Sequence, residues 1–88
     1  MNTSTEIQAV GEATMITSDC IAIAFKRPTG TNPVNVSGYP LADGETLTIS
    51  QNVGDIDRTQ YQIYFGAGAG IDECYVFRTL IIDDYRNG

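Results

Sequence analysis

Two carboxylates two positions apart stand near the start of the stretch GDIDRTQYQIYFGAGAG, residues 54–70, and are the first candidates for chemistry. Asp55 and Asp57, with carbonyls of the glycine-containing turn, offer oxygens of the kind calcium takes, about six to eight at a time. The local D-x-D is shorter than an EF-hand loop, so no metal site is expected. Asp43 and Glu45 flank a second turn. A glycosidase needs two carboxyls facing each other across a cleft, and a chain of 88 residues leaves little room for one. The structural use of these aspartates is simpler: an Asp carboxylate accepts from backbone N–H groups two residues on and so fixes a turn. Arg58 is expected to pair with Asp55 or Asp57 at the surface, a contact of about 0.5 kcal/mol. Ile56, between them, is expected to tuck inward and anchor the corner that launches TQYQIYF.

Other chemistries are missing their residues. There is no His, which removes Ser-His-Asp and Cys-His nucleophiles and every His-ligated metal. Two Cys without His do not complete a four-ligand zinc site. GAGAG, residues 66–70, lies between two predicted strands and opens no helix, so it reads as a hairpin connection rather than a phosphate cradle. Its alternating glycines also weaken the strand and loosen the tip. The expectation is a protein that is not an enzyme, with no catalytic residues and no cofactor. Cys20 and Cys74 each fall inside a predicted strand and read as free, buried thiols.

The elements that would carry these residues are all strands. CIAIAFKR, residues 20–27, alternates, with Ile21, Ile23 and Phe25 on one face and Cys20, Ala22 and Ala24 on the other. The small second face suggests close packing against something. Val34 and Val36 face inward, Ser37-Gly38 turns the chain, and Asp43-Gly44 is a second hairpin signal before ETLTIS. In that strand Leu47 and Ile49 face the core and Thr46, Thr48 and Ser50 face water. QYQIYF sets Tyr61, Ile63 and Phe65 against Gln60, Gln62 and Tyr64. CYVFRTLII, residues 74–82, is apolar on both faces apart from Arg78 and Thr79. A short IQAV strand at 7–10 and turn residues around Met15 and Ile16 complete the reading. It predicts an all-β fold: a small antiparallel β-sandwich or β-barrel of six to eight strands. One β domain spans 7–82, with a flexible N-terminal arm at 1–6 and a polar C-terminal tail at 83–88.

Bulk properties narrow the partners. The net charge is −6, and the basic residues Lys26, Arg27, Arg58, Arg78 and Arg86 form no stripe, so no nucleic acid is expected. No segment approaches the ~18 apolar residues of a membrane span, and residues 1–14 lack the basic and apolar regions of a secretory signal. Synthesis and use from the cytoplasm of the producing cell is the expectation.

Three stretches in order, NPVNVSGYPLADGETLTIS, GDIDRTQYQIYFG and VFRTLI, resemble small all-β proteins encoded among the structural genes of tailed bacteriophages and of prophages in gut bacteria. The likeness covers residues 33–82. Asn35-Val36-Ser37-Gly38 is one residue longer than the more usual VNG of that hairpin. The resemblance implies a virion structural protein, a capsid decoration or a neck or tail accessory component, made in the host cytoplasm. Its partners would be copies of itself as a homo-oligomer and other virion proteins. It supplies no catalytic residues. The alternative is a carbohydrate or host-surface binding module built on Tyr39, Tyr61, Tyr64 and Tyr75, although Trp is absent. The doubly apolar last strand singles out Tyr75, Phe77 and Ile81 as a contact surface. A lone sandwich needs one dry face per sheet, and the second face here calls for a partner.

Overall fold

The computed structural model describes residues 2–50 and 56–82, with side chains over 4–50 and 56–80. The expected C-terminal tail at 83–88 lies outside the described residues, as does Asp55. Eight strands follow one another: β1 Asn2–Val10, β2 Thr14–Thr17, β3 Ala22–Lys26, β4 Val34–Val36, β5 Tyr39–Leu41, β6 Thr46–Ser50, β7 Gln60–Phe65 and β8 Cys74–Ile82. They form two antiparallel four-stranded sheets, β1-β8-β3-β6 and β2-β7-β4-β5. The fold is all-β and sandwich-like, as the alternation predicts. Every connection except β4–β5 carries the chain from one sheet to the other. This is the strand order of a jelly roll, two Greek keys wrapped face to face.

The core explains the alternation. Ile23 and Phe25 of β3 and Cys74 and Val76 of β8 point inward from one sheet. Ile16, Val34, Val36, Leu41 and Ile63 meet them from the other. Phe25 meets Tyr61 edge to face across the sandwich, ring centroids 5.3 Å apart. Leu47, Ile49 and Phe65 pack around that centre. Cys20 and Cys74 are both free and buried, as expected, but only Cys74 lies in a strand; Cys20 precedes β3 in an isolated bridge to Asp57 and joins the core instead of the Ala22 and Ala24 face.

Four expectations are corrected. Residues 2–6 are not an arm: they are the first half of β1, paired along its whole length with β8. Thr5 to Ala9 are exposed on both faces of that strand, so no apolar alternation marks it in the sequence. Met15 and Ile16 lie in a strand, not a turn, and Ile16 is core.

The hairpins are fewer than the turn signals suggest. β4–β5 is the one hairpin among the described connections. Its Ser37-Gly38 turn has both φ values positive, 49° and 90°, the type I′ geometry that matches strand twist. Asp43-Gly44 turns the chain between sheets instead, with Glu45 N–H donating to the Ala42 carbonyl at 2.9 Å.

GAGAG likewise carries the chain from β7 to β8 across the sandwich, and its glycines are needed for close approach. A Cβ on Gly70 would fall 2.6 Å from the Gly30 carbonyl, and one on Gly68 2.5 Å from Asn32 Oδ1. Asn32 ties the seam: its Oδ1 accepts from Gly70 N–H at 2.9 Å, its Nδ2 donates to Asp72 Oδ1 at 2.7 Å, and its N–H donates to the Ile71 carbonyl. The tip read as loose is sewn to the loop before β4.

Candidate functional site

The register of the β8 sheet fixes which side chains share its outer face. Ile7 stands opposite Phe77, Phe77 opposite Ala24, and Ala24 opposite Thr48. The next row is Ala9, Tyr75, Lys26 and Thr46, and the one on the other side is Thr5, Thr79, Ala22 and Ser50. Lys26 is the only charge among these described outward positions, in a chain of 16 charged residues. The apolar end lies at β1, β8 and β3, and the β6 end is Thr and Ser. No described element of the chain covers this face.

Of the contact residues singled out from sequence, Tyr75 and Phe77 are brought together here, both half-buried. Phe77 stands between Ile7 and Ala24, and the small Ala22 and Ala24 face turns out to be this uncovered surface. Ile81 lies in β8 opposite Thr3, and its side chain lies outside the described ones. Sequence reading put Ile7, which is 64% exposed, in a short strand at 7–10 but not on this face, because only the register sets it opposite Phe77. Tyr75 donates its hydroxyl to Glu73 at 2.7 Å, and that bond to a carboxylate raises the phenol above its usual pKa.

On the inner side the same two strands carry Arg78. Its guanidinium donates to the Thr17 carbonyl of β2 at 3.1 Å, to Gln8 Oε1 at 2.9 Å and to Glu6 Oε1 at 3.2 Å. It fills the mouth of the sandwich where β1 and β8, nine residues each, outrun the four residues of β2.

The charged turn proves to be a different kind of place. Asp57 is only 7% exposed. Its Oδ1 accepts from Thr59 N–H at 3.0 Å and its Oδ2 from the Tyr61 hydroxyl at 2.6 Å. Bonds from Thr59 first, then Tyr61, hold its pKa down to about 2. Tyr61 is pushed up to about 12, by burial first and then by the bond to Asp57. The Asp57 backbone exchanges two hydrogen bonds with Cys20, at 2.8 and 3.3 Å, and Ser18 N–H donates to the Thr59 carbonyl at 3.0 Å. Two sheet-crossing corners are thereby stitched together.

The expected inside and outside of this turn are reversed. Ile56 is 45% exposed and Asp57 is buried, because the partners that satisfy a carboxylate are all on the inner side. Arg58 pairs not with Asp57, the one turn aspartate among the described residues, but with Asp19 at 3.3 Å, both side chains well exposed. With both Asp57 oxygens engaged by the protein, the turn works as a joint. Among the described residues no cluster of three or more His, Cys, Asp or Glu is placed to hold a metal. No helix there is long and apolar enough to cross a membrane.

Comparison with protein-family models, with curated proteins and with solved structures found no match for this chain.

Proposed function

We propose that this chain is a non-enzymatic structural protein of a bacteriophage particle, a capsid decoration or a neck or tail accessory component, that docks through the outer face of its β8 sheet. The observation that carries the reading is the row Ile7, Phe77 and Ala24, apolar and uncovered at the centre of a nearly uncharged face. Acidic side chains are kept off this surface although they outnumber basic ones by 11 to 5. Exposed apolar patches of this kind mark interaction sites. Covering Ile7, 64% exposed, contributes up to roughly 1.5–3 kcal/mol, and the part-buried Phe77 adds less.

The jelly roll adds fold-level analogy only: it recurs in viral capsid domains and also in lectins. The lectin-like alternative lacks a platform among the described residues. Tyr39 and Tyr64 are the exposed tyrosines. The pairing sets Tyr39 on the same face as Val36, and Tyr64 on the opposite face with Asn35. Tyr61 faces the core.

The test is incorporation. Mass spectrometry of particles purified from the producing host should find the protein, and Phe77→Asp should remove it while Thr48→Asp does not. Absence from particles, or normal incorporation of Phe77→Asp, overturns the reading.

A further inference from the structure

We infer that the free edge of β1 is a dimerisation edge, at which a second copy adds its own β1 antiparallel with Ile7 opposite Ile7. The inference stands on the geometry of β1 and does not depend on the particle reading.

The orientation of the edge follows from one bond. Ile21 N–H donates to the Thr79 carbonyl, so Thr79 directs its backbone groups toward β3. Alternation then turns Val76, Arg78 and Leu80 toward β1, and their partners there are Gln8, Glu6 and Ser4. The N–H and C=O groups of Thr5, Ile7 and Ala9 therefore point out of the sheet. A row of unpaired backbone groups is a template for another strand.

The other edges are blunted. β5 has three residues and contains Pro40, and β2 has four. β6 has five and presents Thr and Ser outward. β1 has nine residues, no proline and no bulge in its pairing. Its one charge, Glu6, is drawn inward to Arg78, so it does not guard the edge.

The choice of a second copy rests on self-complementarity. An isologous contact must satisfy each residue with its own symmetry mate. With Ile7 on the two-fold axis, Thr5 faces Ala9 of the other copy and Glu6 faces Gln8 of the other copy. No like charges meet. Gln8 accepts from Arg78 through Oε1, which leaves its Nε2 protons for the Glu6 carboxylate across the axis. On the outer face the two apolar rows join: Ala24, Phe77, Ile7, then Ile7, Phe77, Ala24 of the second copy. The apolar gradient of this face, which rises from β6 toward β1, ends at the axis rather than at solvent. A shift of register by two residues would set Glu6 or Gln8 on the axis instead and break this matching.

Sedimentation of the full-length chain at rising concentration, to about 1 mM as the weak limit of specific association, should reach twice the chain mass. Ile7→Pro removes an outward N–H and leaves the β8 ladder bonds of Glu6 and Gln8 in place. It should weaken the dimer roughly tenfold or more. Ile7→Cys should form an interchain disulfide on mild oxidation, since paired Cα atoms about 5.5 Å apart suit that bond. Thr48→Cys, equally outward but on β6, should not. A wild-type chain that stays monomeric throughout, or a Thr48→Cys chain that cross-links as readily as Ile7→Cys, overturns the inference.

Discussion

Asp57 and Phe77 sit in places that look exchanged. The carboxylate is inside, with both oxygens partnered, while the phenyl ring stays partly open on the outer face of a sheet. The difference teaches how each group is accounted for. A buried charge persists only where hydrogen bonds replace the water it loses, and the β6–β7 corner supplies them from its own chain. An exposed ring persists where its cover comes from another molecule. The corner therefore bears on stability and, in the proposed reading, the face bears on association.

That division can be broken in graded steps. Asp57→Ala leaves the Thr59 N–H and the Tyr61 hydroxyl without their acceptor, at roughly 1–3 kcal/mol for each group left unsatisfied. Urea denaturation should show a loss of about 3 kcal/mol, large beside the ~5 kcal/mol low end of small-domain stability.

The same corner sets pH limits. The Asp57 pKa is lowered on folding from 3.8 to about 2, so its contribution is complete above the unfolded value and is lost as pH falls toward about 2. Tyr61 is raised from 10.0 to about 12, so its contribution is complete below pH 10 and is lost as pH rises through about 12. Melting temperature measured across pH should fall at both ends, and Asp57→Asn should flatten the acid limb.

Gly70→Ala drives a methyl toward the Gly30 carbonyl, which is backbone and gives little. A loss of about 1–3 kcal/mol is expected, read as a lower melting temperature. Phe77→Asp should change unfolding by less than about 1 kcal/mol, because the site is outward and half open. Its effect should appear in docking alone, measured as loss from particles. A large unfolding effect would move Phe77 to the stability side of the comparison. The smallest effect belongs to Arg58→Ala. Its pair with Asp19 is exposed on both sides, and the loss should be about 0.5 kcal/mol or less by denaturation.

Much of the architecture was legible because burial imposes a period of two. β3, β6 and β7 each write that period in Ile, Leu, Phe and Tyr, while β8 shows as a run apolar on both faces. Of β1 only IQAV at 7–10 shows in the sequence, since most of the strand has water on both faces, and its place beside β8 is set by partners 64 to 80 residues away. The Ser37-Gly38 and Asp43-Gly44 signals were read correctly as turns, but local chemistry does not say whether a chain leaving a turn rejoins the same sheet or crosses to the other. Ser37-Gly38 and Asp43-Gly44 look alike in sequence and differ in that respect. Half of the candidate surface, Tyr75 and Phe77, followed from a strand apolar on two faces. Ile7 required the register. Asp57 was legible as a turn former, yet its burial depends on Tyr61 and on the Cys20 backbone, which only the closed sandwich brings near.

The pairing of β1 with β8 alone has a kinetic consequence. The β3–β6 and β4–β5 ladders close over short chain segments, while β1 meets its sole partner only after nearly the whole described chain has folded between them. Closing so long a loop is entropically the costliest step of the topology. By this loop-closure argument β1 is expected to be the last ladder to zip. In its opened state β8 offers the same row of backbone groups to any β1 within reach, so a concentrated solution gives this chain a route to exchange strands between copies as well as to add them side by side.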